Sequence, residues 1–228
     1  MRPLVPSVHR PRALLAAAAV LATLLLLTPP ATAALVPAPG ERANSIRAPH
    51  CTMNGARTIA ANRHVRVFRA RGEVFGCRRT ANRAYEIGHG GQECQNNDLI
   101  DSAVVAGNFA ALNVRTCGLD FTASMVKLIN LRDGRVRFAS AVLSTPGSEP
   151  GYDAIRGMVL TASGRLAWLG VRLARGGIAD AEVRRRLPDF SDQSVVLDRG
   201  AGIDPRSLRR GGSRVLWRNA GAARSARI

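Results

Sequence analysis

The chain has 228 residues, 46% hydrophobic and only 4% aromatic, and carries a formal net charge of +17. Beyond one N-terminal stretch, no apolar run approaches the roughly 20 residues a membrane-spanning helix needs. So few aromatic rings also argue against nucleic acid as a partner, because stacking on such rings carries much of its binding.

Residues 1–33 read as a secretory signal peptide. Arg2, His9, Arg10 and Arg12 form a basic start, "ALLAAAAVLATLLLL" follows, and "TPPATAAL" supplies small residues before a cleavage expected after Ala33 or Ala34. The apolar run is 15 residues long and ends at Pro29 and Pro30, which favours cleavage over an anchor. The expected location is therefore secreted. The removed segment holds three arginines and no acid, which leaves +14 on the mature chain. Residues 34–50 read as a flexible, proline-containing leader. Residues 51–228 form one domain, long enough to bury about 70% of its unfolded surface.

Export gives the cysteines a context. Cys51, Cys77, Cys94 and Cys117 are an even set outside a reducing compartment, so two disulfides are expected. Three pairings are open, and the sequence-local one, Cys51–Cys77 with Cys94–Cys117, is the expectation. No C-x-x-C or H-x-x-x-H spacing supports zinc.

A strand–turn–strand phrase then recurs four times. Asn62 precedes "RHVRVF", Gly107 precedes "NFAALNV", Gly164 precedes "RLAWLGV" and Gly212 precedes "SRVLWRN". These turn residues are 45, 57 and 48 positions apart, the length of a four-stranded propeller blade. Further strands are expected at "EVFGCRR", "AYEIG", "SMVKLINL", "RVRFASAV" after the Asp133-Gly134 turn, "AEVRRRL" and "SVVLDRG". The fourth unit ends at "AARSARI" and lacks an outermost strand unless the N-terminal segment supplies one. The expected fold is all-β: a small β-propeller-like repeat domain of about four blade-like units.

With "AIRGMVLTASGRLAWLG" and "LDRGAGIDPRSLRRGGSRVLWRNAGAARSARI" in view, the chain resembles secreted bacterial β-propeller-like repeat proteins, most of them without assigned activity. The likeness spans roughly residues 54–228 and lacks both the Gly-His and Trp-Asp signature of WD40 blades and the Gly-Gly spacing of kelch blades. It implies a binding or scaffolding module and transfers no catalytic residue.

Candidate chemistry is sparse. Trp168 and Trp217, with Phe68 and Leu112 near equivalent positions, read as sheet-packing core rather than as a platform for a sugar or base. "GHGGQECQNND" (88–98) holds His89 and Cys94, and the oxygens of Glu93, Asn96, Asn97 and Asp98, but matches neither an esterase elbow nor a calcium loop. It reads as an inter-blade loop. No catalytic residue, cofactor or metal ligand is expected. Arginine clusters remain: Arg184, Arg185 and Arg186, then Arg206, Arg209, Arg210 and Arg214. Each is either a solvated blade edge or a patch for polyanions. Genome codon bias explains why 32 of the 33 basic residues are arginine, but it does not explain why only 16 residues are acidic. The surplus predicts attraction to polyanions. The expected function is an exported, disulfide-bonded binding module whose partner is an anionic envelope polymer or protein. The alternative is a secreted hydrolase with its site in loops such as 88–98. A third reading, from the short fourth unit, is a ring completed by dimerisation.

Overall fold

The computed structural model describes residues 50–90, 98–117, 122–144, 152–187 and 193–228. The expected signal peptide and all of the leader but His50 lie outside the described residues, as does Cys94. The described residues contain no helix beyond a single 3-10 turn, Arg79–Ala81.

Among the described residues fifteen strands follow, in four units. The first unit is β1 (Arg57–Ala61), β2 (Val65–Ala70), β3 (Glu73–Arg78) and β4 (Arg83–His89). The second is β5 (Asp98–Ala106), β6 (Phe109–Cys117), β7 (Thr122–Asn130) and β8 (Arg135–Ala141). The third is β9 (Tyr152–Leu160), β10 (Leu166–Ala174), β11 (Gly177–Arg186) and β12 (Ser194–Arg199). The last holds three: β13 (Arg209–Gly211), β14 (Arg214–Asn219) and β15 (Ala222–Arg227). Within each unit every strand pairs antiparallel with its sequence neighbour. One parallel pairing, His89 opposite Leu99, joins the first two units into an eight-stranded sheet. The other sheets have four and three strands, and none of the three closes on itself.

The strand–turn–strand phrase thus occurs at all four expected places, and its turns bear on one another. Asn62 Oδ1 accepts from the amides of His64 at 2.7 Å and Val65 at 2.9 Å, closing the β1–β2 turn, while its Nδ2 donates to Gly107 O at 3.1 Å. Gly107 opens the two-residue β5–β6 turn with φ +55°, a conformation that disfavours a side chain. A Cβ there would also sit 2.7 Å from Ala162 O in the β9–β10 turn. The first strands adjoin in the same order: β1 against β5, β5 against β9, β9 against β13.

Strand alternation distributes the core. On β2, Val65 and Val67 face the second unit, in a cluster with Ile100, Leu112, Val114 and Ile129. Phe68 and Ala70 face the opposite way, with Phe75, Cys77 and Ala84. On β6, Ala110 and Leu112 face the first unit and Ala111 faces the third, where Val126, Leu128 and Phe138 meet Leu166 and Trp168. On β10, Ala167, Leu169 and Val171 turn to the fourth unit, with Val215, Trp217 and Ile228. The units are therefore stacked face to face in chain order, each central one buried on both sides.

Residues 50–56 cover the outer face of the first unit. Cys51 is disulfide-bonded to Cys77, with Cα atoms 5.5 Å apart, as the local pairing predicts. Asn82 Oδ1 accepts from the Cys51 amide at 2.8 Å, and Arg66 donates to Cys51 O at 3.0 Å. The Cys94–Cys117 pairing falls outside the described residues.

Candidate functional site

The two arginine clusters meet different fates. Arg184 and Arg186 alternate onto one face of β11, as the strand period requires, but that face is covered. They are 7% and 9% exposed, whereas Arg185, pointing away, is half-buried and donates to Arg227 O at 2.7 Å. The Arg184 guanidinium lies over the Trp168 ring at 5.6 Å, and that of Arg186 over Phe138, also at 5.6 Å. The run at 184–186 is therefore no exposed patch. It is packing.

Glu182 explains how such charge is tolerated. It lies on the same face of β11 and is fully buried. Burial alone would push its carboxyl pKa up. The Ser144 hydroxyl at 2.7 Å, the Ser144 amide at 2.9 Å and the Arg199 guanidinium outweigh that cost and hold it below the ordinary glutamate range. Arg184 sits 3.7 Å from the same carboxylate, and burial pulls its own pKa down. Residues 142–144 are thereby clamped across the third sheet, where Trp168 Nε1 also donates to Val142 O at 3.0 Å.

The last sheet is different. Cross-strand partners share a face, so the pairs Arg209–Leu216, Arg214–Arg227, Leu216–Ser225 and Arg218–Ala223 define one side of β13–β15. Val215 and Trp217 define the other side, which is buried against the third unit. Arg209, Arg214, Arg218 and Arg227 therefore stand together on the outer side, all exposed. Arg206 is exposed in the segment before β13, whereas Arg210, opposite Val215, is exposed at the other side of the sheet. Residues 205–228 contain seven arginines and no acid, and among the described residues none of the seven enters an ion pair. Arg214 is oriented by Ser225, its Nε 3.0 Å from the Ser225 Oγ.

The tryptophans are core. Trp168 is fully buried and Trp217 is 5% exposed, with its Nε1 donating to Asp198 at 2.6 Å, so neither offers a face to a ligand. Phe68 and Leu112 are likewise fully buried.

Of residues 88–98, the segment 91–97 lies outside the described residues, and with it Glu93, Cys94, Asn96 and Asn97. His89 ends β4. It stands within ion-pair reach of Glu73 across the β3–β4 pairing, and the ligand-capable atoms of Glu73, Glu86 and His89 all lie within 4.8 Å of one another. Sequence spacing points to neither carboxylate, since one comes from the partner strand and the other requires an irregularity in β4.

No protein-family model, curated protein or solved structure matches the chain.

Proposed function

We propose that the chain is an exported binding module, propeller-like in build, that attaches to an anionic cell-envelope polymer through the outer face of β13–β15. One observation carries this reading: Arg209, Arg214, Arg218 and Arg227 share a single exposed sheet face in a segment without any acid. Neighbouring strands are about 4.8 Å apart and alternate residues about 6.8 Å. The face thus offers guanidiniums at short, regular intervals, each able to present paired donors to a carboxylate or phosphate. A repeating polyanion engages several at once, so its affinity gains from multiplicity. Export is supported by the N-terminal apolar stretch and by a disulfide of the kind that persists in oxidising compartments. The propeller-like build is supported by the face-to-face units whose first strands adjoin in order.

Co-sedimentation of the oxidised protein with isolated cell envelopes tests the reading, at low and near-physiological salt. Binding is expected to persist at the higher salt and to be lost when Arg209, Arg214, Arg218 and Arg227 are all changed to Gln. A control removes the same charge from the exposed Arg57, Arg63, Arg71 and Arg79, and this variant should still bind. Equal loss in both variants, or loss of wild-type binding with salt, would reduce the interaction to diffuse charge.

A further inference from the structure

We propose that Glu73, Glu86 and His89 form a binding site for a divalent first-row transition cation on the outer face of the first sheet. The site is built by a β-bulge. Val74 pairs with Gly88 and Phe75 with Glu86, so Ile87 is an extra residue on β4. In a regular strand, residues 86 and 89 point to opposite faces; the inserted residue turns His89 onto the face that already carries Glu86. Glu73 lies directly opposite His89 and shares that face with Phe75 and Cys77. Two strands thus deliver two carboxylates and one imidazole to one place, all half-buried and with their ligand atoms within 4.8 Å.

One further observation marks this cluster. Oε2 of Glu73 is shielded from solvent and, although it stands within ion-pair reach of Nδ1 of His89, it receives no hydrogen bond. An ion bridging that oxygen, the imidazole nitrogen and the Glu86 carboxylate satisfies all three groups. The donor set decides the class. Imidazole with carboxylates suits Zn²⁺, Mn²⁺, Fe²⁺ or Ni²⁺, whereas Ca²⁺ and Mg²⁺ prefer oxygen alone. Three protein ligands leave at least one coordination position open for water or an anionic group.

The test is calorimetric titration of Zn²⁺ into the oxidised protein, produced without a histidine tag and stripped with chelator, with thermal unfolding followed in parallel. The expected result is one saturable site and a rise in Tm with Zn²⁺. Glu86→Gln and His89→Gln should each abolish both effects, and His64→Gln should leave them intact. Glu86→Gln is decisive because a simple His89–Glu73 ion pair does not involve Glu86. Absence of saturable Zn²⁺ binding, binding that survives both substitutions, or preferential binding of Ca²⁺ would each overturn the site.

Discussion

At the scale of single residues, Glu182 is where the fold commits most. A buried carboxylate is stable only while its hydrogen bonds and cationic partners are in place, and here Ser144, Arg199 and Arg184 supply them. Glu182→Gln removes the charge and leaves the buried Arg184 with Ser194 and the Trp168 ring but no anionic partner, so we expect a loss of about 3 kcal/mol in denaturant unfolding at pH 7. The same group confers an acid limit. Its folded-state pKa is depressed, so its contribution is complete above the unfolded glutamate value of about 4.3 and disappears as pH falls through the lower folded value. The stability gap between wild type and Glu182→Gln should therefore narrow on acidification in that range. A gap that stays constant down to acid unfolding would show that the carboxylate is not held ionised by these contacts.

At the scale of strands and turns, most of the fold was legible because the signals are local. A glycine or asparagine between two β-tolerant runs marks a hairpin wherever it occurs, and the four repeats of that phrase set the units. Period-2 alternation likewise put Arg184 and Arg186 on one face. What it left open is whether that face is covered, since Trp168 and Phe138 come from other strands and the crossing segment 142–144 from another unit. The Glu73–Glu86–His89 cluster stayed hidden for a related reason. A bulge changes which residues share a face, and only the cross-strand register reveals it. The crossing also explains a glycine that turn chemistry does not. Gly170 pairs with Glu182 beneath residue 142, and a Cβ on it would lie 2.7 Å from Val142 O and collide with the Val142 side chain. Gly170→Ala should cost about 1–3 kcal/mol. Because Trp168 bonds to that same carbonyl, a shift in tryptophan emission is expected to accompany the loss. Unchanged stability and emission would mean the crossing segment yields freely.

At the scale of the whole molecule, the disulfide ties the segment before β1 to β3, closing a sequence separation of 26 residues. The chain-entropy model assigns such a closure roughly 3–4 kcal/mol. Replacing both Cys51 and Cys77 by Ser should lower stability by about that amount in urea titration. It should also expose Phe68 and Phe75, which that segment covers. A much smaller loss would indicate that Asn82 and Arg66 hold the segment without the covalent bond. Stacked sheets raise a further problem, because every unit with two apolar faces invites another copy. Among the described residues the two outer faces meet it differently. The outer face of the first unit is covered by residues 50–56, tied down by the disulfide, so a neighbour docking there has to displace them. The outer side of β13–β15 carries four guanidiniums that repel an identical surface and make burial against an apolar one costly. Two such faces repel unless a counter-charged guest lies between them.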